Sequence, residues 1–199
     1  MPNSSDKGEI AVYASGSSEL LRKITKGINS ADGMAFDSAG NLYVSNYNFS
    51  GKGSATVTVY APGSSTVLRQ IRFPRVEVYD VALDSSDNLY VGTEYGKYTV
   101  AVQVFAPGAS KPFRYITDGI NYHPTRLRFD SQGYLYVQAG SDIEVYAPGA
   151  SSPAYSVGAS VDQGLFGLFA FDGLNNLYVI DGGSVYVYQA HTNNELYDI

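Results

Sequence analysis

The sequence contains no cysteine and no tryptophan, and it has only two histidines among 199 residues. The absence of cysteine excludes disulfides, zinc–thiolate and iron–sulfur centres, and thiol catalysis. Charged residues make up 16% of the chain, compared with about 25% in an average soluble domain. The net charge is 13 − 19 = −6. This acidic balance argues against nucleic acid as a partner, because nucleic-acid-binding proteins present a basic face.

Long apolar runs are also missing, and none approaches the roughly 18 residues of a membrane span. Residues 1–9 lack the apolar core of a signal peptide and are predicted to be flexible. Low charge combined with 21 glycines and 18 tyrosines argues against disorder. The length predicts a single domain over residues 1–199. The abundance of Tyr, Ser, Gly and Asn resembles extracytoplasmic repeat proteins, so we expect a secreted or cell-surface location.

One sequence unit occurs four times. Its anchor is an apolar residue followed by Asp, a short turn and Leu-Tyr-Val, and the anchor aspartates are Asp37, Asp84, Asp130 and Asp172. They are 47, 46 and 42 residues apart. A second anchor, Val-(Tyr/Phe)-Ala-(Pro/Ser)-Gly, lies between them. A period in the forties with strand-forming residues is typical of propeller blades, whereas helical arrays need 3.6-residue patterning.

Each unit predicts four short strands, named a to d in chain order. In the first complete unit they cover residues 34–37, 41–45, 56–60 and about 67–71, where β-branched and aromatic residues alternate with others. Both faces of strand b carry large residues, which predicts sheets that are packed on both sides. The repeats cover residues 10–190, and the tail 191–199 is a candidate for the last strand. Strands at 10–13 and 20–24 resemble c and d without an a and b of their own.

The turns between strands a and b carry a backbone signature. Their fourth residue is Gly, Asp, Gly or Asn, which are the residues that tolerate a positive φ. We expect the anchor aspartate to accept hydrogen bonds from N–H groups of its own turn. A calcium site is the alternative interpretation, and it is disfavoured because each loop offers about two oxygens where calcium needs six to eight.

The unit resembles the NHL-repeat β-propellers, whose wider group includes gluconolactonase-like and streptogramin-lyase-like proteins. The resemblance covers residues 9–190 and implies an all-β propeller of four-stranded blades. About four and a half blades are present, which is consistent with part of a longer propeller, an open arc or an unusually small ring. We expect the incomplete first blade to be covered by self-association or by the tail.

The loops on the d–a and b–c side differ between units, so this face is the predicted ligand face. In the third unit two arginines replace small residues of strand a. The first is expected to pair with Asp80 of the preceding unit, and an anion site is the alternative. The candidate binding residues are Tyr122, His123, Arg126, Arg128, Asp80 and Glu94.

The expected function is a non-catalytic binding module for a protein, peptide or glycan, without a cofactor. The family's metal-dependent lactonases and lyases provide the alternative, which implies a divalent metal. Asn46, Asp80, Glu94 and Asp181 lie near the strand ends that this requires, but their spacing does not match the family pattern. A structural fragment of a longer propeller is the third hypothesis.

The core is predicted at two repeating positions. The residue before each anchor aspartate is expected to pack centrally, with the leucine of each Leu-Tyr-Val beside it. These residues are Phe36, Leu83, Phe129 and Phe171, with Leu42, Leu89, Leu135 and Leu177.

Overall fold

The computed structural model describes residues 8–47, 54–96, 99–158, 168–181 and 183–198. Every regular element in these ranges is a β-strand. Parts of the predicted b–c loops, residues 48–53, 97–98 and 182, lie outside the described residues.

The described strands form one two-stranded and four four-stranded antiparallel sheets. The N-terminal pair contains β1 (Ile10–Tyr13) and β2 (Leu20–Ile24). The first sheet contains β3 (Ala31–Phe36), β4 (Leu42–Asn46), β5 (Ser54–Tyr60) and β6 (Val67–Pro74). The second contains β7 (Val76–Leu83), β8 (Leu89–Tyr95), β9 (Thr99–Phe105) and β10 (Arg114–Ile116). The third contains β11 (Pro124–Phe129), β12 (Leu135–Ala139), β13 (Asp142–Tyr146) and β14 (Tyr155–Gly158). The fourth contains β15 (Phe169–Phe171), β16 (Leu177–Asp181), β17 (Ser184–Tyr188) and β18 (Glu195–Asp198).

The predicted all-β class and the four-stranded antiparallel repeats are confirmed. Within each sheet the strands lie side by side in chain order, so every connection inside a sheet is a hairpin. The tail supplies the last strand of the fourth sheet, where β18 pairs with β17. Among the described residues, no helix is long and apolar enough to cross a membrane.

The turns between the first two strands of each sheet adopt the predicted backbone. Their fourth residues have positive φ, at Gly40 (79°), Asp87 (59°), Gly133 (83°) and Asn175 (64°). The anchor aspartates accept hydrogen bonds inside these turns, as where Asn41 N donates to Asp37 Oδ1 at 2.8 Å. The interpretation of these aspartates as turn formers is therefore confirmed.

Neighbouring sheets pack face to face through a repeated aromatic contact. The tyrosine of one sheet's second strand meets the residue before the anchor aspartate in the next sheet. Tyr90 packs edge-on against Phe129 with ring centroids 4.9 Å apart. Tyr136 packs against Phe171 in the same way at 4.6 Å. At the first junction, Tyr43 and Leu83 share one apolar cluster.

The prediction that Phe36 packs centrally is wrong, because its side chain is 65% exposed. Among the described residues, the N-terminal pair has no strand equivalent to β8 or β12, and therefore no tyrosine equivalent to Tyr90 or Tyr136 that would cover Phe36. Leu83, Phe129 and Phe171 are only half-buried. Each lies on the first strand of its sheet, which is an edge strand. The predicted leucines are buried, and they are Leu42, Leu89, Leu135 and Leu177.

Truncation of Leu135 tests this assignment of the core. We expect Leu135→Ala to lower the free energy of unfolding by about 2–5 kcal/mol, because the side chain is buried between two sheets. Phe36→Ala is the matched control and is expected to cost less than about 1 kcal/mol, since its ring faces solvent. Urea denaturation measures both losses, and equal losses would contradict the assignment.

Candidate functional site

A cavity of about 670 Å³ lies where the first strands of three successive sheets begin. The first sheet contributes Asp32 and Tyr47, the second contributes Tyr79, and the third contributes His123 and Arg126. These residues belong to the d–a and b–c side of the repeats, which is the side whose loops differ between units. Because each sheet contributes different side chains, the cavity has no repeat symmetry.

One wall of the cavity carries a continuous row of hydrogen-bonded side chains. Tyr47 Oη donates to Glu77 Oε2 at 2.6 Å. Tyr79 Oη lies 2.8 Å from Glu94 Oε2 and 3.1 Å from Glu77 Oε2. His123 Nδ1 lies 2.6 Å from Glu94 Oε2, and its ring stacks on Tyr79 with centroids 5.2 Å apart. The row therefore joins the three sheets at the cavity wall.

The partners of this row fix where its protons lie. An ionised Glu94 carboxylate only accepts hydrogen bonds, so His123 Nδ1 carries a proton, and in the neutral ring Nε2 is an acceptor. The His123 side chain is 52% exposed, whereas Glu94 is buried. Burial and the bond to Glu77 raise the pKa of Tyr47 to about 12. Burial, followed by the bonds to Glu94 and Glu77, raises the pKa of Tyr79 far above its usual value.

The cavity is also lined by Asp32 and Arg126. Partial burial raises the pKa of Asp32, the positive charge of Arg126 opposes that rise, and the charge of Asp80 adds to it. Asp32 is the one carboxyl group among the described residues that line the cavity, and Glu77 and Glu94 lie behind it, bonded to the lining residues Tyr47, Tyr79 and His123. The surroundings of the cavity therefore hold three carboxyl groups and one lining arginine.

Asp80 lies outside this row and has a structural environment. Its fully buried carboxylate accepts hydrogen bonds from Val81 N at 2.9 Å, Leu127 N at 3.0 Å and Arg128 Nη1 at 2.9 Å. The strand β11 is bulged between residues 124 and 126, and Asp80 satisfies the backbone N–H of Leu127 just beyond that bulge. A Cβ at Gly33 would collide with Asp80 Oδ1, so glycine provides the space for the carboxylate.

The prediction that Arg126 pairs with Asp80 is wrong, because Arg128 forms that ion pair. The Asp80 carboxylate accepts hydrogen bonds from Leu127 N and from the Arg128 side chain. The Arg126 side chain lines the cavity instead. The two arginines therefore have different environments, although they lie two residues apart.

The remaining candidates lie away from the cavity walls. Tyr122 is 64% exposed, and its ring lies against Gly140. Asn46 accepts a hydrogen bond from Asn29 N at 2.7 Å and donates to Thr58 Oγ1 at 3.2 Å. Its side chain therefore joins the backbone before β3 to the strand β5. Asp181 ends β16, and its side chain lies outside what the structure describes. In the described part of the chain, no three His, Asp or Glu side chains are grouped so that they could hold a metal ion.

Four residues of the site were not predicted: Asp32, Tyr47, Glu77 and Tyr79. One signal for Glu77 was present in the sequence. Glu77 and Glu94 lie directly opposite each other in the β7–β8 pair. Like charges in that position destabilise a sheet unless other groups compensate them. Here the tyrosine hydroxyls and His123 provide that compensation.

The comparisons with known proteins concern the fold alone. No protein-family model matches the chain, and no curated protein matches it. The solved structures that match include a protein of unknown function from Bacteroides caccae, determined at 1.35 Å. It is 16% identical with a TM-score of 0.67, and the match covers 96% of this chain and 68% of that one. The class that the chain shares with it is an all-β fold of several four-stranded antiparallel sheets.

The two arginines of β11 provide a matched test of their roles. We expect Arg128→Ala to lower the free energy of unfolding by about 1–3 kcal/mol, because the buried Asp80 carboxylate loses one of its three donors. Arg126→Ala is expected to cost less than about 0.5 kcal/mol, since it lines an open cavity. Equal losses in thermal or urea unfolding would contradict the assignment of Arg128 as the structural member.

The raised pKa of Tyr47 is open to direct titration. The difference in absorbance at 295 nm between wild type and Tyr47→Phe is expected to show one tyrosine ionising near pH 12. The pKa of Tyr47 in the folded protein lies above the value of about 10 in the unfolded chain. The stability that the protonated Tyr47 hydroxyl contributes is therefore complete below pH 10 and is lost as the pH rises to 12. A midpoint near 10 would show that Tyr47 is not held against Glu77.

Proposed function

We propose that the chain forms the repeat body of an NHL-like β-propeller with about four and a half blades. The first strands of successive sheets support this arrangement, because β3 contacts β7 and β7 contacts β11. Such contacts agree with the radial order of propeller blades, in which the first strand of a sheet is innermost and the fourth is outermost. The N-terminal pair then counts as the outer half of a further blade.

We infer that the cavity beside these inner strands is a ligand-binding site and that the protein is a non-catalytic binding module. The observation that carries this proposal is the cavity itself, which combines tyrosine rings from two sheets whose hydroxyls are held by glutamates behind them. Its size lies within the range of small-molecule sites, and such sites place a few polar groups among larger apolar walls. Its position on the variable loop face agrees with where propellers of different function diverge.

The chemistry of the walls favours a neutral glycan segment as the ligand. Three carboxyl groups against one arginine disfavour an anionic ligand. Hydroxyl groups of a sugar donate to carboxylates and to His123 Nε2, while the apolar faces of its rings pack on tyrosine. Tyr47 and Tyr79 lie with ring centroids 5.5 Å apart, and together they offer an aromatic surface.

Calorimetric titration with a panel of neutral di- to tetrasaccharides tests this proposal. At least one saccharide is expected to bind saturably. Glu94→Gln is expected to weaken that binding about tenfold, because Glu94 positions the Tyr79 hydroxyl and the His123 ring of the cavity wall through hydrogen bonds to a charged acceptor, which contribute about 1.5–3 kcal/mol each. Tyr115→Phe is the control, since this exposed tyrosine lies on β10 and does not line the cavity. The chelator EDTA is expected to leave binding unchanged, and chromatography is expected to recover the saccharide intact.

Three results would contradict the proposal. Binding of short neutral peptides but of no saccharide would reassign the ligand class. If Glu94→Gln left the binding unchanged, the saccharide would bind outside the cavity. Loss of binding in EDTA, or conversion of the saccharide, would favour the metal-dependent enzyme instead.

A further inference from the structure

A second exposed apolar surface lies at the N-terminal end of the sheets, away from the proposed ligand cavity. A groove of about 260 Å³ separates the N-terminal pair from the first sheet, and Val12, Tyr13, Met34 and Phe36 line it. We call these four residues the β1 groove. Three of its four side chains are exposed, namely Tyr13, Met34 and Phe36.

The equivalent positions of the later sheets are covered. Met34 is 52% exposed, whereas Val81 and Leu127, which also stand three residues before an anchor aspartate, are fully buried. The difference arises because each later sheet packs on a complete preceding sheet, while among the described strands the first sheet packs on β1 and β2 alone. The β1 groove thus corresponds to the junction between two neighbouring sheets. On its N-terminal side, two described strands stand where the other junctions have four.

The register of the complete sheets identifies what is missing from the groove. In each, the second strand pairs with the third so that the tyrosine of Leu-Tyr-Val lies opposite a valine, as Tyr90 lies opposite Val104 and Tyr136 opposite Val145. The corresponding valine of β1 is Val12. β1 pairs with β2 on one edge, and among the described strands none pairs with its other edge. A strand on that edge with a tyrosine opposite Val12 would bring this ring over Phe36, as Tyr90 lies over Phe129.

We propose that the β1 groove binds a β-hairpin of another polypeptide that carries the same repeat chemistry. The second strand of the hairpin adds antiparallel to the free edge of β1, with its Leu, Tyr and Val opposite Tyr13, Val12 and Ala11. Strand addition of this kind combines backbone hydrogen bonds with side-chain pockets, and here Phe36 and Met34 form the pocket. The tyrosine is the anchor residue of the partner.

A second intact copy of this chain is not the expected occupant. Its own hairpins of this type cover residues 31–46, 76–95, 124–139 and 169–181. The second strand of each already pairs with the third strand of its own sheet. A second copy would have to open one of its sheets before it could supply a hairpin.

The test uses the intact protein and a fluorescein-labelled peptide with the sequence of residues 31–46, which contains Leu42-Tyr43-Val44. This peptide is acidic, as is the protein, so general charge attraction does not drive binding. Fluorescence anisotropy is expected to show saturable binding.

Two substitutions test the anchor contact. Tyr43→Ala in the peptide, and separately Phe36→Ala in the protein, are each expected to weaken binding by at least about tenfold, because aromatic anchors dominate such interfaces. The matched control is Phe113→Ala in the protein, an exposed ring outside the groove, which is expected to bind like the wild type.

Analytical ultracentrifugation at the same protein concentrations completes the test. A monomer that binds the peptide supports the proposal. A dimer that Phe36→Ala dissociates would overturn it in favour of a second copy in the groove. Absence of saturable binding, or binding that Phe36→Ala leaves unchanged, would also overturn it. None of these results depends on the saccharide measurements, because the β1 groove and the ligand cavity share no residue.

Discussion

Each four-stranded sheet has two apolar faces, and coverage of one sheet by the next is the constraint on which the rest of the structure depends. Burial of apolar surface is the main favourable term in folding, and a single sheet cannot bury both of its faces alone. The chain meets this requirement with one repeated contact, in which a tyrosine of one sheet meets the phenylalanine or leucine of the next. At the two ends of the series large apolar side chains stay exposed. Phe36 is exposed at one end, and Ile180 and Tyr197 are exposed at the other.

The same stacking determines which polar residues are structural and which are available to a ligand. Where the first strands bulge, backbone N–H groups lose their strand partners, and polar side chains replace them. Ser45 Oγ accepts from Gly33 N at 2.7 Å, and Asp80 accepts from Leu127 N at 3.0 Å. These side chains are buried, and their hydrogen bonds join neighbouring strands. The polar groups that line the cavity come from the beginnings of β3 and β11, the end of β4 and the middle of β7.

The fold was predictable because the repeat sets the turns and strands locally, through residues such as Gly40 and Asp87 that adopt positive φ. The exposure of Phe36 was not predictable. It depends on how much of the preceding sheet is present to cover this ring, and neither the residue nor its neighbours in sequence carry that information. The cavity was predicted only in part. His123 and Arg126 deviate from the repeat and were visible in the sequence. Tyr79 looks like an ordinary strand residue, and its role depends on side chains that three sheets bring together.

Native-state amide hydrogen exchange tests whether stability in this chain follows the coverage of each sheet by its neighbours. Exchange is slowest where opening requires the largest cooperative unit to unfold. The strongest protection is expected in β8 and β12, whose sheets are packed on both faces. The weakest protection is expected in β1, one edge of which has no partner among the described strands, and in β18, whose side chains are exposed. Protection in β1 or β18 equal to that in β8 would contradict this expectation.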